Sequence, residues 1–150
     1  MKAKFYKCPH CGNIVMMLVD SGVTPVCCGE KMTLLEPKST DVYKEKHVPV
    51  IENKGDGKIL VKVGEVPHPM TPEHRICFIA VETEHGIEVK FLDQAKPAEA
   101  EFKCCCKVVA VYEYCNMHGL WICTKCGECC EDKSAGKDAA GSSCNSKCTK

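Results

Sequence analysis

The sequence lacks both a long hydrophobic run and a net charge, and each absence excludes a class of protein. Its longest apolar stretches, such as residues 14–19, are far shorter than the roughly 20 residues that a membrane-spanning helix needs. Lysine and arginine together number 20, as do aspartate and glutamate, so there is no overall field of the kind that attracts nucleic acids or anionic membranes. We therefore expect neither a nucleic acid nor a membrane as a partner.

A secretion signal is also lacking in the N-terminal segment, which has basic residues but no apolar core. This favours a cytoplasmic location, where thiols stay reduced and clustered cysteines bind metals more often than they form disulfides. Cysteine is abundant, at 15 of 150 residues, and the odd number fits metal binding better than a fully paired disulfide framework. We expect a cytoplasmic metalloprotein.

Composition divides the chain into four segments. Residues 1–36 contain two cysteine pairs but too few apolar residues for a core, so a metal must stabilise this unit. Residues 37–40 are a predicted linker, and residues 41–121 a predicted β-domain. Residues 122–150 are rich in cysteine, serine, glycine and lysine, and this tail cannot fold by burial alone.

The β-domain is predicted from its short strand-like runs. No window shows a sustained apolar period of 3.6 residues, which argues against long helices. Runs rich in β-branched and aromatic residues alternate instead with Gly, Pro, Asn and Asp. The predicted strands are residues 47–51, 59–63, 76–83, 87–92 and 108–114. Strands this short and this regularly spaced favour an all-β antiparallel sandwich over a parallel α/β sheet.

Four cysteines in the first segment form a complete ligand set for a tetrahedral metal. Cys8 and Cys11 form a C-x-x-C pair, and Cys27 and Cys28 supply two more thiolates. We expect a distorted tetrahedron, because adjacent residues point at one metal less comfortably than a C-x-x-C pair does. Iron and structural zinc remain alternatives, since tetrahedral thiolate sites suit either metal.

A second set of potential ligands lies at strand ends and in loops of the β-domain. It comprises four histidines and one cysteine, namely His47, His68, His74, His118 and Cys115. A rigid sandwich can direct such residues at one point. Imidazoles with a single thiolate suit a redox-active first-row metal better than structural zinc, and five protein ligands leave one octahedral position for an inner-sphere reaction.

Several ordered motifs resemble those of desulfoferrodoxin, the two-iron form of superoxide reductase. The motifs are F-Y-K-C-P-H-C-G-N, C-C-G-E-K-M, E-K-H-V-P-V-I-E, V-K-V-G, H-P-M-x-x-x-H and Y-C-N-x-H-G-L-W, and they cover about residues 4–121. The resemblance implies a desulforedoxin-like domain whose rubredoxin-like iron is bound by Cys8, Cys11, Cys27 and Cys28. It also implies an immunoglobulin-like β-sandwich whose catalytic iron is bound equatorially by His47, His68, His74 and His118 and axially by Cys115.

The same resemblance implies an activity, the one-electron reduction of superoxide to hydrogen peroxide in oxidative-stress defence. Family members are commonly homodimers, with rubredoxin as the usual electron donor. Lys46 would attract the anion and order a proton-donating water. Glu45 resembles the residue that occupies the sixth position of the oxidised iron in family members. A non-catalytic electron carrier, a metal-buffering protein and a superoxide dismutase are the alternatives.

The tail departs from the family pattern. Its first cysteines match the opening of a bacterial ferredoxin run, C-x-x-C-x-x-C, and a further cysteine follows. The candidate ligands of an iron–sulfur cluster are therefore Cys123, Cys126, Cys129 and Cys130. A disordered, thiol-rich tail that binds soft metals is the alternative. We assign no role to Cys104, Cys105 and Cys106, and we expect Cys77 to be a buried small hydrophobe.

Overall fold

The structure, a computed structural model, describes residues 3–40, 42–103 and 106–124. Within these ranges the chain forms short strands and one helical turn. The N-terminal strands are β1 (Lys4–Lys7), β2 (Ile14–Met17), β3 (Val26–Cys27), β4 (Glu30–Lys31) and β5 (Thr33–Leu34). The helix α1 (Lys44–His47) follows, and then β6 (Pro49–Gly55), β7 (Lys58–Val63), β8 (Ile76–Thr83), β9 (Ile87–Phe91), β10 (Glu99–Lys103), β11 (Val108–Cys115) and β12 (Gly119–Cys123).

The N-terminal unit has a small sheet and almost no core of its own. Its strands are ordered β2-β1-β5, and β3 and β4 form a separate hairpin. The buried cluster inside the unit consists of Tyr6, Cys8 and Met32. A core this small cannot stabilise a fold without a crosslink or a metal.

Two antiparallel sheets pack face to face in the second unit. One sheet has the order β10-β7-β6, and the other has the order β12-β11-β8-β9. Side chains from both sheets fill the space between them, among them Ile59, Val61, Ile79, Phe102 and Val111. Seven antiparallel strands in two packed sheets are typical of an immunoglobulin-like sandwich, so the predicted all-β fold class is confirmed.

The two central strands of the four-stranded sheet, β8 and β11, are buried on both faces. Because side chains alternate along a strand, Val111 of β11 lies in the core between the sheets, whereas Tyr112 faces the other way. On that outer face Phe5 of β1 packs against Phe78 and Tyr112, with ring centroids 5.6 and 5.5 Å apart. The N-terminal unit therefore covers the outer face of the sandwich and shares a second hydrophobic core with it.

The segment between the two units is hydrogen-bonded to the sandwich. The Lys38 amide donates to the carbonyl of Leu120 at 2.9 Å, and the Ile122 amide donates to the carbonyl of Lys38 at 2.9 Å. Ile122 is buried, so strand β12 extends beyond residue 121. No helix in the described part of the chain is long and apolar enough to cross a membrane.

Candidate metal centres

Four imidazole rings form a closed quartet at one end of the sandwich. Neighbouring ring centroids are 4.7 Å apart for His47 and His68, and 4.6 Å apart for His68 and His74. They are 4.8 Å apart for His74 and His118 and for His118 and His47. Each ring meets its neighbour edge-on. Three of these histidines each direct one ring nitrogen toward the middle of the quartet. His118 Nδ1 lies 2.9 Å from His47 Nε2 and 3.2 Å from His74 Nε2.

The sulfur of Cys115 lies close to the middle of this quartet. Its Sγ atom is 3.5 Å from His118 Nδ1 and 3.6 Å from His68 Nε2. These two rings occupy opposite corners of the quartet, so the sulfur approaches its centre rather than one edge. Cys115 is completely buried. The five donor atoms all lie within 4.8 Å of one another.

The chemistry of these donors fits a bound transition metal. Burial, followed by the charges of neighbouring histidines, lowers the pKa of His47 to about 3 and the pKa of His68 to about 4. Both imidazoles are therefore neutral at pH 7, which is the form that binds metals. Burial also raises the pKa of the Cys115 thiol, so a nearby cation is needed to hold the sulfur as a thiolate.

The ligand residues come from loops and strand ends that side chains tie together. His47 ends α1, Cys115 ends β11, and His68 and His74 belong to the segment between β7 and β8. Asn116 joins two of these segments, because its Oδ1 accepts from the Arg75 amide at 2.8 Å and its Nδ2 donates to the Glu73 carbonyl at 2.8 Å. His74 is thereby fixed against the turn that carries Cys115 and His118.

His47 is held from two sides by residues that the sequence analysis missed. With Nε2 directed into the quartet, its Nδ1 donates to Glu113 Oε1 at 3.1 Å. The ring of Trp121 stacks on His47 at 4.8 Å and 12°. Glu113 is two residues before Cys115 on the same strand, and period-2 alternation places both on one face. The two-residue spacing from Cys115 is the sequence signal that could have identified Glu113 as a neighbour of the candidate site.

Glu113 is completely buried, and burial raises its pKa well above the ordinary value. A carboxyl oxygen that accepts a hydrogen bond from a metal-binding histidine fixes the ring and its tautomer. Replacing Glu113 by leucine should therefore weaken metal binding at the quartet by roughly 10- to 100-fold, whereas Glu113→Gln should retain most of the affinity. A competition titration with a chelator measures both losses.

The matched control for Glu113 is Glu82, a buried carboxyl that accepts from the Tyr112 hydroxyl at 2.9 Å on the other face of the sheet. Glu82→Leu should leave the metal affinity of the quartet unchanged. Equal losses for Glu113→Leu and Glu82→Leu would contradict the assigned role, because the effect would then come from general destabilisation.

A second group of donors is formed by the four cysteines of the N-terminal unit, Cys8, Cys11, Cys27 and Cys28, whose sulfur atoms lie within 4.8 Å of one another. Cys28 has a φ of 54° and Gly29 a φ of 81°. This left-handed turn directs two adjacent cysteines toward one point, which strand geometry would not allow. The Cys11 amide donates to the Cys8 sulfur at 3.5 Å, and this bond is the main cause that lowers the pKa of Cys8 to about 6.

The remaining predicted site residues lie in different places. Glu45 and Lys46 are exposed in α1, directly before the buried His47. The charge of Lys46 contributes to the lowered pKa of His68, although burial is the main cause. Cys123 ends β12, whereas Cys126, Cys129 and Cys130 lie outside the described residues.

The cysteines for which no metal role is predicted lie in several places. Cys77 is half-buried rather than buried, and it packs against the outer core of the sandwich. Cys106 is also half-buried. Cys104 and Cys105 lie outside the described residues.

A β-sandwich that carries a group of four histidines and one cysteine, with a four-cysteine unit packed on it, is a protein with two separate candidate metal sites. Comparison with known families gives the assignment. Residues 39–124 match the desulfoferrodoxin family, and residues 1–35 match the desulfoferrodoxin N-terminal domain. The chain belongs to the desulfoferrodoxin family.

Individual relatives agree with this assignment. The chain is 47% identical over 116 residues to a desulfoferrodoxin homolog of Archaeoglobus fulgidus, covering 77% of this chain and 92% of that protein. It is 46% identical over 118 residues to the desulfoferrodoxin of Nitratidesulfovibrio vulgaris, covering 79% and 93%. The crystal structure of the superoxide reductase from Treponema pallidum superposes with a TM-score of 0.68 at 32% identity, covering 81% of this chain and 96% of that one.

Proposed function

We propose that this protein is a superoxide reductase, which converts superoxide to hydrogen peroxide at an iron ion bound by His47, His68, His74, His118 and Cys115. The observation that carries the proposal is the convergence of these five donors, three of them buried and His74 and His118 partly exposed. Partial exposure lets a small anion reach the quartet from solvent. Membership of the desulfoferrodoxin family and the likeness to a superoxide reductase structure support the same activity.

The reaction consumes one electron and two protons for each superoxide, and the product is hydrogen peroxide. When iron is bound, it supplies the electron, and the thiolate eases its oxidation by donating electron density. The neutral imidazoles of His47 and His68 add no negative charge that would offset the attraction between the bound iron and the superoxide anion. Lys46 attracts superoxide and orders a water that donates a proton, and the carboxylate of Glu45 favours release of the product.

Product stoichiometry tests the activity directly. With a reductant present, a superoxide reductase forms one peroxide for every superoxide consumed and evolves no oxygen. A dismutase forms peroxide and oxygen in equal amounts, and a non-catalytic electron carrier does not accelerate the loss of superoxide. Oxygen evolution in step with peroxide, or no acceleration by the iron-loaded protein, would contradict the proposal.

Replacing Lys46 by alanine should slow the reaction with superoxide by about tenfold at low ionic strength, because a local positive charge steers an anion toward the site. The dependence on salt should flatten, since screening then has less attraction to remove. Pulse radiolysis over a range of salt concentrations measures both effects. The visible spectrum of the iron should stay the same.

The control for Lys46 is Lys54→Ala, because Lys54 is an exposed lysine near the far end of β6, the strand that follows α1. That variant should keep the wild-type rate and salt dependence. If the rate of Lys46→Ala equals that of the wild type at every salt concentration, Lys46 has no part in the mechanism.

We infer a desulforedoxin-like iron domain over residues 1–36, a linker over 37–40 and a catalytic sandwich over 41–121, to which strand β12 adds the next two residues. We also infer a cytoplasmic protein that receives electrons from rubredoxin or a similar donor. A homodimer is consistent with the exposure of apolar side chains in the N-terminal unit, among them Leu18, Val19, Val23 and Val26. Light scattering of the purified protein measures its oligomeric state.

For the tail we propose an iron–sulfur cluster bound by Cys123, Cys126, Cys129 and Cys130, on the strength of their ferredoxin-like spacing. Removing residues 125–150 should lower the iron and inorganic sulfide content of the reconstituted protein. The shortened chain should end at Thr124, because β12 continues to Cys123. Equal iron and sulfide contents in the two proteins would reject the cluster.

A further inference from the structure

Gly64, which directly follows β7, touches the backbone of the segment that carries Glu45 and Lys46. A Cβ atom at this position would lie 2.6 Å from the carbonyl carbon of Lys46, 2.7 Å from the carbonyl oxygen of Glu45 and 2.7 Å from the Cα of Lys46. All three neighbours are backbone atoms, which cannot swing aside as the end of a flexible side chain can. Gly64 also has a φ of +77°, a conformation that favours glycine.

Hydrogen bonds fasten the same two segments together. The Glu65 amide donates to the Glu45 carbonyl at 2.9 Å, and the Val66 amide donates to the same oxygen at 3.1 Å. The Gly64 amide donates to the Val48 carbonyl at 3.2 Å. Helix α1 is only four residues long, and so short a helix has little stability of its own. The hydrogen bonds to residues 64–66 therefore help to hold it in place.

His47 has separate supports from those of the two residues before it. Its ring is held by the hydrogen bond to Glu113 and by the stacked ring of Trp121. Glu45 and Lys46 are exposed, and the contact with residues 64–66 fixes their backbone. A displacement at Gly64 should therefore move Glu45 and Lys46 more than it moves the ligand ring.

We propose that Gly64 is a positioning residue for the reduction of superoxide, because its missing side chain lets the Glu45–Lys46 backbone sit at the place the reaction needs. The proposal rests on the proposed function. A misplacement of reacting groups by about 1 Å costs as much as 100-fold in rate. The contact with Gly64 is closer than any Cβ permits, so an added methyl group must shift the segment.

Gly64→Ala tests the proposal, and Gly55→Ala is its matched control. Gly55 has a φ of +80°, but a Cβ there would meet nothing within 4 Å. Both substitutions carry the same penalty for a left-handed backbone, so the difference between them reports the contact alone. Asparagine tolerates the left-handed conformation, so Gly64→Asn and Gly55→Asn repeat the comparison with the backbone penalty reduced.

Three readouts on the iron-loaded protein separate positioning from general damage. Amide hydrogen exchange at Glu65 and Val66 should accelerate in the Gly64 variants and not in the Gly55 variants. The rate with superoxide should fall by about tenfold at low ionic strength, with the flattened salt dependence of Lys46→Ala. The visible spectrum of the iron should persist. The double variant Gly64→Ala with Lys46→Ala should lose less than the product of the two single losses.

Several results would overturn the inference. One is an equal effect of substitution at residues 64 and 55 on exchange and on the rate. Another is a loss of rate in the double variant equal to the product of the two single losses. A third is loss of the iron spectrum in a folded Gly64 variant. If neither Gly64 variant folds, amide hydrogen exchange in the wild-type protein tests the contact instead. Rapid exchange at Glu65 and Val66 would then refute the contact. A wild-type protein that does not react with superoxide would remove the proposed function, while the exchange data would still test the contact.

Discussion

Replacing Cys115 by serine should lower the rate of superoxide reduction by roughly 100-fold or more, which corresponds to about 2.7 kcal/mol of activation free energy. The hydroxyl group has nearly the same shape, so the buried end of β11 keeps its packing. It does not ionise to a thiolate, and the donation of electron density that eases oxidation is lost. The visible absorption that arises from sulfur-to-iron charge transfer should disappear as well. Iron analysis, visible spectroscopy and stopped-flow mixing with superoxide measure these effects.

Cys77→Ser is the control for this substitution. Cys77 is half-buried on the neighbouring strand β8, but it packs against the outer core and does not belong to the ligand group. The same exchange of sulfur for oxygen should leave the rate and the spectrum of the iron unchanged. If Cys115→Ser keeps the wild-type spectrum and rate, the thiolate has no part in the reaction.

Replacing Trp121 by alanine should destabilise the protein by about 3–5 kcal/mol, the usual cost of truncating a large buried aromatic residue. Trp121 is completely buried and stacks on His47 at 4.8 Å. The substitution therefore opens a cavity beside a ligand ring as well as in the core. Denaturant unfolding of the metal-loaded protein, followed by circular dichroism, gives the loss of stability.

Two further variants show how much of the lost stability comes from the ring that packs against His47. Trp121→Phe keeps a ring against His47 and should lose less stability than alanine does. Phe91→Ala removes an aromatic side chain that is 83% exposed, and its effect should stay within about 0.5 kcal/mol. A loss for Trp121→Ala no larger than that for Phe91→Ala would contradict the assignment of Trp121 as a main support of the site.

The amino-acid sequence predicts the strands and the donor groups because both leave local signals. Strand β8 has the bounds predicted for it, residues 76–83, since a long run of β-branched and aromatic residues is buried there on both faces. The donor groups stand out because cysteine and histidine are the common metal ligands and occur here in short, ordered motifs. The structure brings together both sets of candidate donors.

Other features have weaker local signals. Strand β10, with the sequence EAEFK, is an edge strand whose alternate residues are charged, and it was not predicted. A strand was predicted over residues 47–51, but His47 ends a helical turn and β6 begins at Pro49. Residues 64–66 hold that turn through tertiary hydrogen bonds, which sequence periodicity does not report.

The supports of the quartet depend on contacts between distant parts of the chain. Asn116 bonds to the backbone of residues 73 and 75, and Glu113 bonds to His47 across 66 positions. Gly64 ends the motif V-K-V-G, but its closeness to Lys46 appears only when the two segments are folded together. Such partners follow from topology, so a single sequence predicts the ligands better than the residues that hold them.

In the proposed reaction the four histidines and Cys115 bind one iron ion that superoxide oxidises. The most direct measurement mixes ferrous-loaded protein with superoxide and follows sulfur-to-iron charge transfer together with the peroxide formed. We expect the absorption to rise in step with superoxide consumed, with one peroxide per superoxide and no oxygen, and we expect no such rise for Cys115→Ser. Consumption of superoxide with oxygen evolution, or without any change in this absorption, would contradict the proposed reaction.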